Sequence, residues 1–178
     1  MKKPITAKRL YNIALFYLSK YEASRKQVGD MLRRRVLKAQ LRGEEIPIDV
    51  DEMIEETLNQ LINQHFLSDI RFAENKVHHW AEQGKSNQYI RQKLKLAGIA
   101  PECIQNLLEN DENSELDKAR QYVRRKKLGF MRPEETRREM HQKDLARLAR
   151  QGFSLDVALK ALDFGEGDMD EIDNMAFI

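Results

Sequence analysis

A chain of 178 residues that is 34% charged and 41% hydrophobic, with only eight glycines and four prolines, can form one domain or several small helical units sharing a core, and favours long helices over sheet. No stretch reaches the roughly 18 consecutive apolar residues that a membrane span needs, and Met1-Lys2-Lys3-Pro4 opens no apolar secretion signal. The lone Cys103 excludes an internal disulfide, so the expected setting is the reducing cytoplasm.

Taken in order, Leu10, Ile13, Ala14, Tyr17, Leu18 and Tyr21 recur at spacings of three and four and predict a helix from Ala7 with one buried stripe. Ser24 with Gln27 is a capping box for a second helix carrying Val28, Met31, Leu32 and Val36 and ending near Gly43. After the linker Glu44-Glu45-Ile46-Pro47-Ile48, Asp49 with Glu52 predicts the cap of a third helix bearing Met53, Ile54, Leu58, Leu61 and Ile62. Ser68 or Asp69 opens a fourth, with Phe72, Ala73, Val77, Trp80 and Ala81 on its apolar side, and Gly84 stops it. Ser86 starts the fifth (Ile90, Leu94, Ala97) and Pro101 the sixth (Ile104, Leu107, Leu108), beside whose stripe Cys103 is expected to be buried. Ser114 with Asp117 opens a seventh helix through Val123 to Gly129, Pro133 lies in the first turn of a long eighth ending near Gln151, and Ser154 opens a short ninth with Val157, Ala161 and Leu162.

One junction recurs. Leu61 to Asp69, Leu94 to Glu102 and Leu148 to Asp156 each run from a leucine to a Gly or His, an apolar residue, and then Ser or Pro near an acid. Gly98 and Gly152 suit the left-handed position after a helix, and Ser68, Pro101 and Ser154 open the next one. His65 holds the glycine's place in the first copy, where a strained or differently shaped turn is expected. A repeated junction implies units too small to bury their own faces alone. The expected fold is all-α, in three-helix sets at 1–67, 68–113 and 114–164. An acidic stretch at 165–178 follows, expected to be a mobile tail that either aids solubility or competes with a polyanion for a basic face.

Catalytic patterns are sparse, and no enzyme is expected. The four histidines lack metal-ligand spacing, and Glu74, His78 and Glu82 at successive turns are a pattern chance supplies easily. There is no phosphate-cradling glycine loop or nucleophile elbow, so neither cofactor nor metal is expected.

Charge is the stronger signal. The net charge is +2, yet residues 1–43 set twelve lysines and arginines against Glu22 and Asp30, residues 44–75 set nine acids against Arg71, and a second basic block runs from Lys118 to Arg150. Arg34 and Lys38 lie one turn apart, as do Arg91 and Lys95; Arg120, Arg124 and Lys127 share a helix side, as do Lys143, Arg147 and Arg150. Such stripes are commonly only solvated faces. The runs Arg33-Arg34-Arg35 and Arg124-Arg125-Lys126-Lys127 repel internally unless an anion compensates, which points to nucleic acid or an acidic protein groove. Tyr89 and Trp80, near Arg91, could mimic a base-stacking pair, but Trp80 lies on the apolar stripe and is expected to be core, which leaves Tyr89 as the more open candidate.

Several segments together resemble the RecX family: Phe66-Leu67-Ser68-Asp69-Ile70-Arg71-Phe72-Ala73, Gly84-Lys85-Ser86 with Ile90-Arg91-Gln92-Lys93-Leu94 and Gly98-Ile99, and Leu148-Ala149-Arg150-Gln151-Gly152-Phe153-Ser154. The resemblance implies tandem three-helix repeats in an elongated, curved helical array. It also implies a regulator, usually negative, that binds the RecA recombinase filament on DNA and damps recombinase and coprotease activity in repair, recombination and the SOS response. Expected partners are RecA and single-stranded or double-stranded DNA, with the protein a monomer. Expected contact residues are Arg33, Arg34, Arg35, Lys38, Arg71, Arg91, Lys95, Arg124, Arg125, Lys126, Lys127, Arg147 and Arg150. Arg71 has an equal alternative in pairing with Glu74 or Asp69. A free-standing nucleic-acid binder or transcription regulator, and a pure protein scaffold, are the competing readings.

Overall fold

A computed structural model describes residues 4–163, and the acidic stretch from Gly165 onward lies outside them. Among the described residues there are nine α-helices and no strand: α1 (Ala7–Leu18), α2 (Arg25–Leu41), α3 (Val50–Asn63), α4 (Asp69–Glu82), α5 (Asn87–Leu96), α6 (Pro101–Glu109), α7 (Glu115–Lys126), α8 (Glu134–Arg150) and α9 (Leu155–Leu162). The fold is all-α, in tandem sets of three helices.

Local chemistry explains most boundaries. Ser24 and Ser114 form reciprocal capping boxes with Gln27 and Asp117, Ser68 Oγ accepts from the Arg71 amide at 3.3 Å, and Ser154 Oγ accepts from the Val157 amide at 3.3 Å. Asp49 does sit at the start of α3, but its backbone (φ −95°, ψ 17°) is not extended and its carboxylate makes no capping bond. Helix α7 stops at Lys126, earlier than Gly129; Lys127 takes the left-handed conformation (φ 51°), and Gly129–Met131 then forms one tight 3-10 turn. Pro133 is the residue before α8 and not within its first turn.

The three junctions share one geometry. The amides of Phe66, Ile99 and Phe153 reach back to the carbonyls of Leu61, Leu94 and Leu148 at 3.0, 3.1 and 3.2 Å. His65 (φ 59°) takes the same left-handed place as Gly98 (φ 83°) and Gly152 (φ 91°), so its side chain bears the strain that glycine avoids.

Contacts divide the chain into two units, one of Met1–Glu74 with Leu94–Ile104, the other of Asn75–Lys93 with Gln105–Ile178. The first is built on Leu10, Ala14, Val28, Leu32, Ile54, Leu58 and Leu61, which the stripes of α1, α2 and α3 supply. Ile62, expected on that stripe, is 36% exposed. The second is built on Ala119, Val123, Leu128, Leu148, Phe153, Ala161 and Leu162. It also buries two ion pairs, Lys118 with Asp111, and Arg132 clamping Asp144 at 2.7 and 2.8 Å while the Gly129 amide donates to the same carboxylate. Cys103 and Trp80 are half-buried, less enclosed than their apolar neighbours led us to expect, because each lies at the margin of its helix's buried stripe.

Candidate functional site

The basic residues singled out in the sequence have unlike surroundings. On α2, Arg33 is engaged internally: its guanidinium meets Glu55 at 2.8 Å, Asp51 at 3.7 Å and Asp30 at 4.0 Å. Arg34, Arg35 and Lys38 are exposed on the same helix and have no ion pair among the described residues. The acids of α3 thus neutralise one arginine of the triplet and leave two outward.

Arg71 pairs with neither Glu74 nor Asp69. Its guanidinium donates to the His65 carbonyl at 3.3 Å, and Asp69 instead accepts from the Arg25 amide at 2.6 Å. Arg91 and Lys95 are exposed one turn apart on α5, and Arg147 and Arg150 are exposed in the last turn of α8. Arg124 is half-buried and has contacts within the protein, while Arg125, Lys126 and Lys127 are exposed. The last turn of α7 favours cations because its free carbonyls carry partial negative charge, which is reason enough for one base there but not for a cluster.

The second unit does gather a cluster, around Tyr89. Lys85, in the turn before the Ser86 cap, places Nζ 4.8 Å from the centre of the Tyr89 ring, and Lys93, one turn further along α5, places its own 5.4 Å away. Trp80 meets the same ring edge-on, with centroids 6.0 Å apart and planes at 90°. Burial first, and then the charges of Arg125, Lys126 and Lys93, push the Lys85 ammonium below its ordinary value. None of these four cations has an ion pair among the described residues. Cations held together without an acid are the electrostatic preparation for a phosphate, and the aromatic ring beneath them adds a cation–π surface.

Lys85 and Lys93 were missed in the sequence, where Tyr89 was linked to Arg91 instead. The signal was present: Lys85, Tyr89 and Lys93 are spaced by four, the step that sets side chains one above another. Elsewhere, Glu82 meets His78 at 3.3 Å, and no cluster of three or more metal-ligating side chains forms among the described residues.

The chain is similar to known proteins over most of its length. A profile of the second three-helix domain of RecX matches residues 68–108. The regulatory protein RecX of Myxococcus xanthus is 36% identical over 162 residues, covering 86% of this chain and 84% of its own, and that of Agrobacterium fabrum is 28% identical over 90% and 85%. Among solved structures, RecX from Lactobacillus salivarius superposes with a TM-score of 0.61 at 25% identity over 88% of this chain and 96% of its own. Another RecX crystal structure superposes at 0.63 with 23% identity, over 89% and 72%. With that profile match and a 36% identical relative covered over most of both lengths, the chain belongs to the RecX family.

Proposed function

We propose that this protein regulates RecA recombinase by binding the recombinase filament on DNA, and that it lowers the filament's activity. The observation that carries the reading is the cation cluster around Tyr89, four positive side chains without acidic partners among the described residues, in a chain similar to regulatory relatives. The chain acts as a monomer of three tandem repeats, 1–67, 68–113 and 114–164, in the cytoplasm. Its contacts are individually weak and add along a repeating filament, because each one already made holds the next at high effective concentration. Lys85, Lys93, Arg125 and Lys126 meet DNA phosphates, supported by the exposed Arg34, Arg35, Lys38, Arg91, Lys95, Lys127, Arg147 and Arg150. Arg33, held by Glu55, contributes less.

The test is the ATPase rate of RecA on saturating single-stranded DNA while this protein is added well below one molecule per recombinase subunit. Excess DNA removes simple competition for the lattice. A steep fall in rate, relieved by the joint Lys85→Ala, Lys93→Ala, Arg125→Ala and Lys126→Ala substitution, is the expected result. An unchanged rate with intact binding to bare DNA, falling steeply with salt, would transfer the cluster to a free-standing nucleic-acid binder.

A further inference from the structure

The first unit carries a second surface of different chemistry. Between α1 and α2 lies an open groove of about 860 Å³. Its floor is apolar: Ile13, Phe16, Tyr17, Tyr21 and Met31. Phe16 and Tyr21 are 68% and 61% exposed, and the Tyr17 and Tyr21 rings stand 5.2 Å apart at 43°. Large side chains left in water at this density cost the free protein solubility, and mark surfaces that another molecule covers.

The rim is positive. Lys8, Lys20 and Arg35 line the groove, and no acidic side chain does so among the described residues. The Lys20 ammonium lies 6.0 Å from the Phe16 ring, so that charge already leans over the apolar floor. Arg9 belongs to the lining too, but meets Glu44 at 2.9 Å, which leaves the other three as the rim's charges without an ion pair among the described residues.

We propose that this groove receives one amphipathic helix of a protein partner, its apolar face on Phe16, Tyr17 and Tyr21 and its acidic flanks against Lys8, Lys20 and Arg35. Two features favour a helix over a nucleic-acid strand. Ile13 and Met31 complete a floor that matches Leu, Met or Phe side chains, whereas nucleobases bring polar edges for which the groove offers little beyond Asn12, Thr6 and the tyrosine hydroxyls. Furthermore, Arg9, Ile13 and Phe16 follow one another at three- and four-residue steps along α1, with Lys20 in the turn just beyond its end, which presents a straight track to the i, i+3, i+4, i+7 anchors of a docked helix. This surface shares no residue with the Tyr89 cluster, and the proposal stands whether or not that cluster meets a recombinase filament.

The experiment uses the full chain and a fluorescein-labelled synthetic helix with leucines on one face and glutamates on its flanks, followed by anisotropy. Saturable binding is expected, weakened about tenfold or more by Phe16→Ala with Tyr21→Ala. Lys8→Glu with Lys20→Glu should abolish it and admit the matching peptide with lysine flanks. Lys85→Ala with Arg125→Ala should leave it unchanged. Both groove pairs are solvent-facing, and the lysine pair leaves the packing of α1 untouched, so a folded variant is available whichever pair is lost. Absence of saturable binding, equal binding of the glutamate and lysine peptides, or loss of binding through Lys85 and Arg125 alone would overturn the proposal. So would an oligothymidylate whose binding, unlike the peptide's, depends on Phe16 and Tyr21.

Discussion

Each of the two units holds a helix start against a helix junction with the same three contacts, yet they fill the space behind those contacts differently. In the first, the buried Ser24 caps α2 and its hydroxyl donates a hydrogen bond to the Ala97 carbonyl at 2.6 Å, the Arg25 amide donates to Asp69 at 2.6 Å, and Gly98 lies against Lys26. In the second, the buried Ser86 caps α5 and donates to the Gln151 carbonyl, the Asn87 amide donates to Glu115 at 3.0 Å, and Gly152 lies against Gln88. Three residues after the acid, the first unit has buried Phe72 and the second has buried Lys118, 3% and 1% exposed. Lys118 is tied to Asp111 and to the Asn87 side chain. The repeat therefore preserves the polar fastening at the surface of the joint, while the residue beneath it is free to be apolar or ionic provided its partners are present.

The largest effect should come from removing that buried lysine. Lys118→Met leaves the Asp111 carboxylate, also nearly buried, without its partner, and should cost about 3–5 kcal/mol in denaturant unfolding. Combining Lys118→Phe with Asp111→Ala makes the second unit imitate the first, and should recover most of the loss, since apolar replacements of a whole buried pair are often neutral. Failure of that double variant to recover would show that Asn87, left without the Lys118 ammonium, needs the ionic network and that the two solutions are not interchangeable.

The junction glycines come next. A Cβ on Gly152 would sit 2.8 Å from Gln88 Oε1 and 2.9 Å from Ser86 Oγ, and one on Gly98 would sit 2.8 Å from Lys26 Cβ. With φ also positive at both, Gly152→Ala and Gly98→Ala should each cost about 2–4 kcal/mol, measured as a fall in urea midpoint. His65→Gly tests the converse. Relieving a non-glycine residue at φ 59° should leave stability unchanged or raise it by up to about 1 kcal/mol.

These contrasts also mark what could be read in the sequence. The caps at Ser24, Ser68, Ser114 and Ser154 and the stops at Gly98 and Gly152 depend on residues within a few positions of one another, so their spacing carried them. The three-helix scheme followed from the recurrence of that spacing. What escaped depends on contacts between distant segments. Arg33 looked like its neighbours Arg34 and Arg35 until α3 brought Glu55 to it, and Lys118 looked like one more base in a basic block although it is enclosed beside Asp111. Lys85 and Lys93 had the right spacing around Tyr89, but only the end of α7, carrying Arg125 and Lys126 toward Lys85, distinguishes that site from a solvated stripe. Asp49 shows the opposite error: the residue type suited a cap, and the local backbone did not.

The smallest expected effect concerns Glu115, the acid of the second unit's joint. Glu115 is raised above its ordinary value chiefly by burial, against the pull of the Asn87 amide and Lys118. A carboxyl whose folded value is raised holds its proton more firmly in the folded chain than in the unfolded one. Its contribution is therefore favourable at low pH relative to neutral pH, and folding loses stability as pH rises from the unfolded carboxylate value, about 4.3, through the raised folded one. Glu115→Gln keeps an oxygen for the Asn87 amide and cannot ionise. The variant should melt slightly higher than the parent at pH 7, and this advantage should vanish near pH 4. An advantage that stays constant across the range would mean that ionisation of Glu115 is not what the burial opposes. An advantage that grows toward low pH would mean that the Asn87 amide and Lys118 together outweigh desolvation, so that the second joint is held by a charge after all.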